Sequence, residues 1–176
     1  MTHRTRHFRW LGVTLIELMV GIALLGIIAT LTLPSFTAFL DRSRLDGAIK
    51  TLDADLQWAR GEAVKRNAVI SVAFSAGLPW TYTLRNADGS TIKTVLGSQF
   101  HNTTLNTPVL GGGSVLTLQP NRGGITTPAG LPLDSALVFQ SAQGRVACVR
   151  FNQLGRTQQC SPAGATHLTG VSECAC

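Results

Sequence analysis

An uninterrupted apolar run near the amino terminus constrains this chain more than any other feature. Val13 to Leu33 comprises 21 residues with one charged side chain, Glu17. A helix of about 20 apolar residues is long enough to cross the hydrocarbon core of a bilayer. The first ten residues, MTHRTRHFRW, carry three arginines and no acid. Because basic flanks stay cytoplasmic, we expect a single membrane pass with the amino terminus in the cytoplasm and the remainder of the chain on the other side.

Glu17 is the residue of this run that needs a partner. A carboxylate in a membrane helix costs on the order of 2–3 kcal/mol near the bilayer centre and less near the helix end. If the chain is cut after Gly12, the new amino group belongs to Val13 and lies one helical turn from Glu17. Glu17 can then pair with that amine or with the amine of a neighbouring subunit. The alternative is a carboxylate that extends to the membrane interface without a partner.

The segment GVTLIELMVGIALLGIIATLTLPSF resembles the signal and first helix of type IV pilins and type II secretion pseudopilins. That signal has a basic leader, a glycine, an apolar helix with glutamate fifth after the cut, and a proline further on; Gly12, Glu17 and Pro34 match it. The resemblance implies cleavage after Gly12 by a prepilin peptidase, which also methylates the amine of Val13. It implies that Glu17 guides assembly with other pilins or pseudopilins into a filament. Before assembly the protein is expected in the bacterial inner membrane.

A helical pattern resumes after Pro34 and is amphipathic. Because Pro34 lacks a backbone donor, we expect it to kink or loosen the join. Apolar residues then recur at steps of three and four, which places them on one face of a helix that we expect to pack on a sheet: Leu45, Ile49, Leu52, Leu56, Ala59 and Ala63. Charged residues fill the positions between them. The pattern predicts an amphipathic helix over 35–66.

Beyond Asn67 the period changes to that of strands. Strands are predicted at 68–74, 81–86, 91–96, 114–120, 136–141, 145–152 and 156–161, with a hairpin turn at Asp88-Gly89 and a loop over 121–134. The fold class is α+β, with one long N-terminal helix packed on a C-terminal antiparallel sheet. The predicted organisation is a leader at 1–12, an assembly helix at 13–33 and a head at 34–176, whose sheet covers about 68–160 and whose cysteine-rich tail, 161–176, contains no element.

A second motif narrows the resemblance. The stretch DLQWARGEAVKRNAVISV has an aromatic-Ala-Arg-x-Glu-Ala run followed by a strand, here Trp58-Ala59-Arg60 and then Glu62-Ala63. It is similar to the GspH/FimT group of minor pilins and pseudopilins. The resemblance implies a type IV pilin-like architecture and a structural subunit that is placed at the tip of a pilus or pseudopilus, or that primes its assembly.

Catalytic and metal-binding patterns are missing from the sequence. It contains no G-x-S-x-G, H-E-x-x-H or phosphate-binding glycine loop. We therefore expect no enzyme and no cofactor. The cysteines include no C-x-x-C pair, and His167 stands alone among them, so we expect no metal site.

All four cysteines lie in the last 29 residues, which indicates disulfides in an oxidising compartment. A hairpin centred on Leu154 places Cys148 directly opposite Cys160, and an even offset puts both on one face. We expect these two to be bonded, with Cys174 and Cys176 paired to each other or open to partners. The two connectivities that tie the tail back to the hairpin stay open.

Arginines on the C-terminal hairpin suggest a second function. Arg145 and Arg156 follow turn glycines, Arg150 lies between them, and all three can reach phosphates, although on sequence alone arginines that only solubilise turns are the favoured explanation. FimT-like members that bind DNA during natural transformation carry Gly-Arg-x-Arg near the C-terminus. Gly155 and Arg156 match this motif, and Gln158 departs from it. Without the three leader arginines the chain has 12 basic and 9 acidic residues, a net charge of +3. A structural subunit and a double-stranded DNA-binding subunit for uptake are therefore the two hypotheses.

Overall fold

A computed structural model describes residues 12–106, 110, 113–121, 123–127, 135–164 and 167–176. Residues 1–11 of the predicted leader and most of the predicted loop at 121–134 lie outside this range. The described chain contains one long helix followed by ten strands and a short 3₁₀ helix, Gly97–Gln99. By their contacts the residues divide into two compact units, Met1–Thr37 and Ala38–Cys176.

The helix, α1, comprises 52 residues, Leu15–Arg66. Thr14 caps its first turn, because its Oγ1 accepts a hydrogen bond from the backbone N–H of Glu17 at 3.3 Å. Asn67 ends it in a left-handed conformation, φ +48°, and the N–H of Ala68 donates to the carbonyl of Ala63. The helix assignment continues through Pro34, and the kink expected there stays a prediction.

The N-terminal unit presents its apolar side chains outward, including Leu15 at 80 % and Leu25 at 66 % exposure. Among the helices of the described residues, none qualifies alone as a membrane span; a bent pair, Leu15–Thr30 with Ser35–Arg66, qualifies by length and composition only. The membrane span expected over 13–33 stays a prediction.

The head contains two five-stranded sheets rather than the single sheet expected. In chain order the strands are β1 (Ile70–Ser75), β2 (Thr81–Arg85), β3 (Thr91–Leu96), β4 (Thr103–Leu105), β5 (Val115–Leu118), β6 (Ile125–Thr126), β7 (Ala136–Ser141), β8 (Val146–Phe151), β9 (Thr157–Ser161) and β10 (Ser172–Glu173). The first sheet has the order β3-β2-β1-β5-β6, and the second has the order β10-β9-β8-β7-β4. All pairs are antiparallel except β10, which lies parallel to β9.

The predicted apolar face of α1 forms the centre of the head. All six residues of the stripe have at most 2 % exposure, and they form one core cluster with inward-facing residues of both sheets. Polar bonds fix the same helix to each sheet. Asp55 accepts a hydrogen bond from the Tyr82 hydroxyl of the first sheet at 2.7 Å, and Asp53 accepts one from Gln159 of the second at 2.7 Å. The α+β, pilin-like fold class is confirmed.

Three expectations about elements are wrong. The tail is not free of structure, because it contributes β10 and a bridge between Val146 and His167. The segment expected to be a loop contains β6, and β4 has no counterpart in the prediction. These strands have two or three residues, which is too short for an alternating pattern to register. They form by pairing with longer neighbours rather than through their own sequence.

The disulfide pairing expected from the hairpin is also wrong. Cys148 is bonded to Cys176, and Cys160 is bonded to Cys174. The predicted register is nevertheless present, since Cys148 and Cys160 lie directly opposite each other. The parallel pairing of Ser172 with Cys160 draws the tail along β9 and carries both tail cysteines to the hairpin. Each hairpin cysteine therefore bonds to the tail instead of to its cross-strand neighbour.

Candidate functional site

The turn between β8 and β9 is organised by the side chain of Asn152. Its Oδ1 accepts hydrogen bonds from the backbone N–H groups of Leu154 and Arg156, both at 3.1 Å. The N–H of Gly155 donates to the carbonyl of Asn152 at 2.9 Å. Asparagine commonly holds a turn in this way. Asn152 was not among the predicted site residues, although its position two residues before the Leu154-Gly155 turn is the signal that could have identified it.

Arg60 of α1 is packed against this turn. Its Nη1 donates to the carbonyl of Gly155 at 3.3 Å. Gly155 has φ +75°, and a Cβ there would collide with the carbonyl oxygen of Gly123 and touch the Arg60 side chain. Only glycine fits both the left-handed backbone and the close approach. The Arg60 of the helix motif and the Gly155 of the hairpin motif therefore meet in the fold.

Arg156 follows Gly155 and is exposed. Its guanidinium group makes no hydrogen bond or ion pair within the described part of the chain. Arg150 lies directly opposite Gln158 in the β8–β9 ladder and is partly buried. Arg150, Arg156 and Gln158 line a common cavity of about 470 Å³ together with Phe151, Asn152 and Thr157. The structure thus brings two of the three predicted arginines together.

Arg145 lies elsewhere. It precedes β8, five residues before Arg150, which corresponds to roughly 17 Å along an extended strand. Its Nε lies 4.0 Å from Oδ2 of Asp41, and the two side chains are 29 % and 10 % exposed. Asp41 also accepts a hydrogen bond from the Ser141 hydroxyl at 2.6 Å. Arg145 therefore faces an acidic group of α1 at the other end of the strand.

One comparison with known proteins decides the family. A family model described as type II transport protein GspH matches residues 48–155. The match covers more than half of the chain, from the amphipathic part of α1 to the β8–β9 turn. The chain belongs to the GspH family. It is accordingly a minor pilin or pseudopilin of the GspH/FimT type, as the motifs predict. No curated protein and no solved structure matches the chain.

Membership in the GspH family assigns a general role. GspH proteins are structural pseudopilins rather than enzymes, and they interact with other pseudopilins or pilins. The family implies an inner-membrane anchor and a periplasmic head. The matched residues end at Gly155, so Arg156 and the cysteine-rich tail lie beyond the part of the chain that the family model covers.

The residues expected to serve processing and assembly lie at the start of the described chain. Gly12 and Val13 are exposed and precede the helix, and Glu17 is exposed in its first turn. The apolar side chains that follow are exposed as well, from Leu15 to Ile28. Nothing in the described chain pairs with the Glu17 carboxylate.

The four cysteines of the tail and hairpin form a sulfur cluster. The Sγ atoms of Cys148, Cys160 and Cys174 lie within 4.8 Å of one another. All three belong to disulfides, so none offers a thiolate to a metal ion. The tail they hold is packed on the head. Leu168 is fully buried, and Nη2 of Arg42 donates to the carbonyl of Thr169 at 2.6 Å.

Proposed function

We propose that this GspH-family protein is a minor subunit that enters a pilus or pseudopilus through its N-terminal helix and occupies the tip or primes assembly. The observation that carries the proposal is the exposed apolar helix with Glu17 in its first turn, joined to a head that buries its own core. An apolar surface of this extent is stable only in lipid or against other helices. The head, by contrast, buries the apolar stripe of the amphipathic half of the helix.

The first step of this function is processing. We expect a prepilin peptidase to cut after Gly12 and to methylate Val13. Mass spectrometry of the N-terminal peptide from the membrane-bound protein would identify both changes. Gly12→Val should leave the chain at its uncut size, since a β-branched side chain replaces the glycine at the cut. A mature-sized band for that variant would place the cut elsewhere.

The second part of the proposal concerns where the subunit lies in the filament. A tip or priming subunit is present at about one copy per filament and at one end. Gold-labelled antibody against the head, applied to sheared filaments, would show a single terminal label. Deletion of the gene should reduce the number of filaments rather than their length. Labels distributed along the filament would contradict the proposal and indicate an internal subunit.

Binding of duplex DNA during uptake is the second candidate function. The observation in its favour is the pair Arg150 and Arg156 beside one cavity, with the Arg156 guanidinium exposed. Opposing it are Gln158 at the last motif position and Arg145 beside Asp41. If DNA binds here, affinity falls with salt, and Arg156→Ala reduces the slope of log affinity against log salt by about 1.

Two other arginines of the chain, Arg145 and Arg85, serve as matched controls for the DNA-binding test. Arg145→Ala should leave the slope unchanged if Asp41 already holds that side chain, and Arg85→Ala removes an equal charge from the other sheet. Gln158→Arg should strengthen binding by adding one phosphate contact. The measurement uses the full-length protein in detergent with a short duplex. No salt-sensitive binding, together with no effect of Gln158→Arg, would exclude the uptake function.

A further inference from the structure

A larger cavity adjoins the β8–β9 turn on the side of α1. It has a volume of about 700 Å³ and is lined by Gln57, Arg60, Gly61 and Val64 of the helix and by Gly155, Arg156 and Thr157 of the turn. A volume of this size accommodates several side chains of a bound segment. All of its lining residues belong to the head unit.

Gly61 is one of the helix residues that line this cavity. It lies inside α1, where glycine costs about 1 kcal/mol relative to alanine. A Cβ built on Gly61 meets no atom within 4 Å, so the packing of the described residues gives no reason for glycine here. Gly123 and Gly155 differ, since a Cβ at either would collide with neighbouring atoms. The missing side chain at Gly61 leaves room for an atom from outside the chain.

The chemistry of the lining is cationic with an apolar component. Arg60 and Arg156 contribute two guanidinium groups, and no carboxylate is among the described residues of the lining. Val64 of the lining is 48 % exposed. Trp58, which is not part of the lining, is 45 % exposed and lies one turn before Gly61 on the same face of the helix. Guanidinium groups form paired hydrogen bonds with carboxylates, and exposed apolar groups favour an apolar side chain next to that acid.

We propose that this cavity is the docking site for an acidic segment of another filament subunit, with a carboxylate at Arg156 and an apolar side chain over Gly61. The proposal rests on the structural role given above, because the occupant is a neighbouring subunit. The concave shape and the apolar wall favour a peptide over duplex DNA. A duplex presents its phosphates on a wide, rigid surface, whereas this space has room for a few side chains.

Two variants separate the parts of the site. Arg156→Gln removes the exposed charge, and Gly61→Leu places a side chain in the open space, starting from a Cβ that meets no atom within 4 Å. The probe is a fluorescein-labelled peptide of alternating aspartate and leucine, with a control peptide in which asparagine replaces aspartate. Binding to the full-length protein in detergent is measured by fluorescence anisotropy against a micelle blank. Arg85→Gln is the matched control, since it removes an exposed arginine from the other sheet.

The acidic peptide should bind, and the asparagine peptide should bind at least several-fold more weakly. Arg156→Gln should weaken binding roughly five-fold, as for a partly exposed ion pair. Gly61→Leu should abolish it by steric exclusion, with an unchanged circular dichroism spectrum. Arg85→Gln should have no effect.

Any of three results overturns the proposal. The first is that the acidic peptide does not bind, and the second is that Arg85→Gln weakens peptide binding as much as Arg156→Gln does. The third is that a short DNA duplex displaces the peptide and that binding of this duplex is lost in Gly61→Leu. None of these results depends on the apolar part of α1 around Glu17. A failure here is therefore distinguishable from a failure of filament incorporation, which is measured by substituting Glu17 with alanine.

Discussion

Gly155 illustrates how a residue of a binding motif can be required by the fold. Its backbone is left-handed, its carbonyl accepts from Arg60, and the Gly123 carbonyl lies against its Cα. The Gly-Arg pair places an exposed arginine directly after a glycine that α1 holds in position. A glycine at this position is therefore explained by packing, whether or not Arg156 binds a ligand.

Gly155→Ala should destabilise the head by roughly 2–4 kcal/mol, because it adds left-handed strain and a collision with backbone. Gly144→Ala is the matched control. Gly144 has a similar φ, +79°, but its Cβ would meet no atom within 4 Å, so we expect a loss of about 1 kcal/mol from strain alone. Urea unfolding of both variants measures the difference. Equal losses would show that the contact with Gly123 contributes nothing.

Tyr82 is buried between sheet and helix at 1 % exposure. Its hydroxyl donates to Asp55, whose other oxygen is held by Lys93 at 2.7 Å. Burial first, and then the hydrogen bond to the Asp55 carboxylate, raise the pKa of Tyr82 far above the usual value for tyrosine. The phenol therefore stays protonated in the folded head at pH values where it would ionise in the unfolded chain.

This pKa predicts a loss of stability at alkaline pH. Below about pH 10 both states hold the phenol proton, and above it the unfolded chain loses that proton first, so unfolding becomes easier by up to about 1.4 kcal/mol per pH unit. Tyr82 is the sole tyrosine of the sequence, so tyrosinate absorbance reports on it alone. That absorbance should rise only as the head unfolds, and Tyr82→Phe should reduce the alkaline loss. A titration near pH 10 in the folded state would contradict this.

Among the helices and strands, the features that were predicted correctly are those that depend on spacing within a short segment of sequence. The stripe from Leu45 to Ala63, the hairpin at Asp88-Gly89 and the register of Cys148 with Cys160 are each set by spacing within a short segment. The division into two sheets and the parallel position of β10 depend on contacts between distant segments. The Cys148–Cys176 bond depends on the same long-range placement of the tail, so hairpin geometry alone led to the wrong partner.

For the candidate site, too, the residues of the turn could be predicted from the sequence, whereas their contacts with distant residues could not. Gly-Arg at a turn indicated Gly155 and Arg156, but the contact with Arg60 joins residues 95 positions apart. The pairing of Arg145 with Asp41 likewise depends on how α1 lies against the second sheet. Neither contact can be predicted from the residues next to it in sequence, because an arginine with a distant partner and an arginine exposed to solvent occur in the same kind of sequence.

The tail should be held by two disulfides that close loops of 28 and 14 residues. A loop of about 15 residues contributes roughly 3 kcal/mol through the unfolded chain. Peptide mapping without reductant should yield fragments linked as 148–176 and 160–174. Reduction should lower the unfolding temperature, and Cys160→Ser with Cys174→Ser should reproduce part of that change. A 148–160 fragment would restore the pairing expected from the hairpin and contradict the structure.

The two compact units of the molecule differ in how far their apolar residues are buried. The head, Ala38–Cys176, buries the stripe of α1, both sheets and Leu168 of the tail. Among the described side chains of the N-terminal unit none is fully buried, and the apolar side chains of its helix from Leu15 to Ile28 are exposed. We therefore expect changes to the head core to affect stability, and changes near Glu17 to affect the contacts with lipid and with other subunits.

Glu17→Ala should therefore leave folding intact and impair incorporation. No core residue of the head lies in the N-terminal unit, so the unfolding temperature of the head should be unchanged, and the variant should still be cut and found in the membrane fraction. Its share in sheared filaments should fall at least several-fold, because the carboxylate that we expect to pair with a neighbour's amine is lost. Glu17→Asp, which keeps the charge on a shorter side chain, should retain part of the incorporation, and Glu17→Gln should retain little. Normal filament content of the alanine variant would show that apolar contacts alone direct assembly.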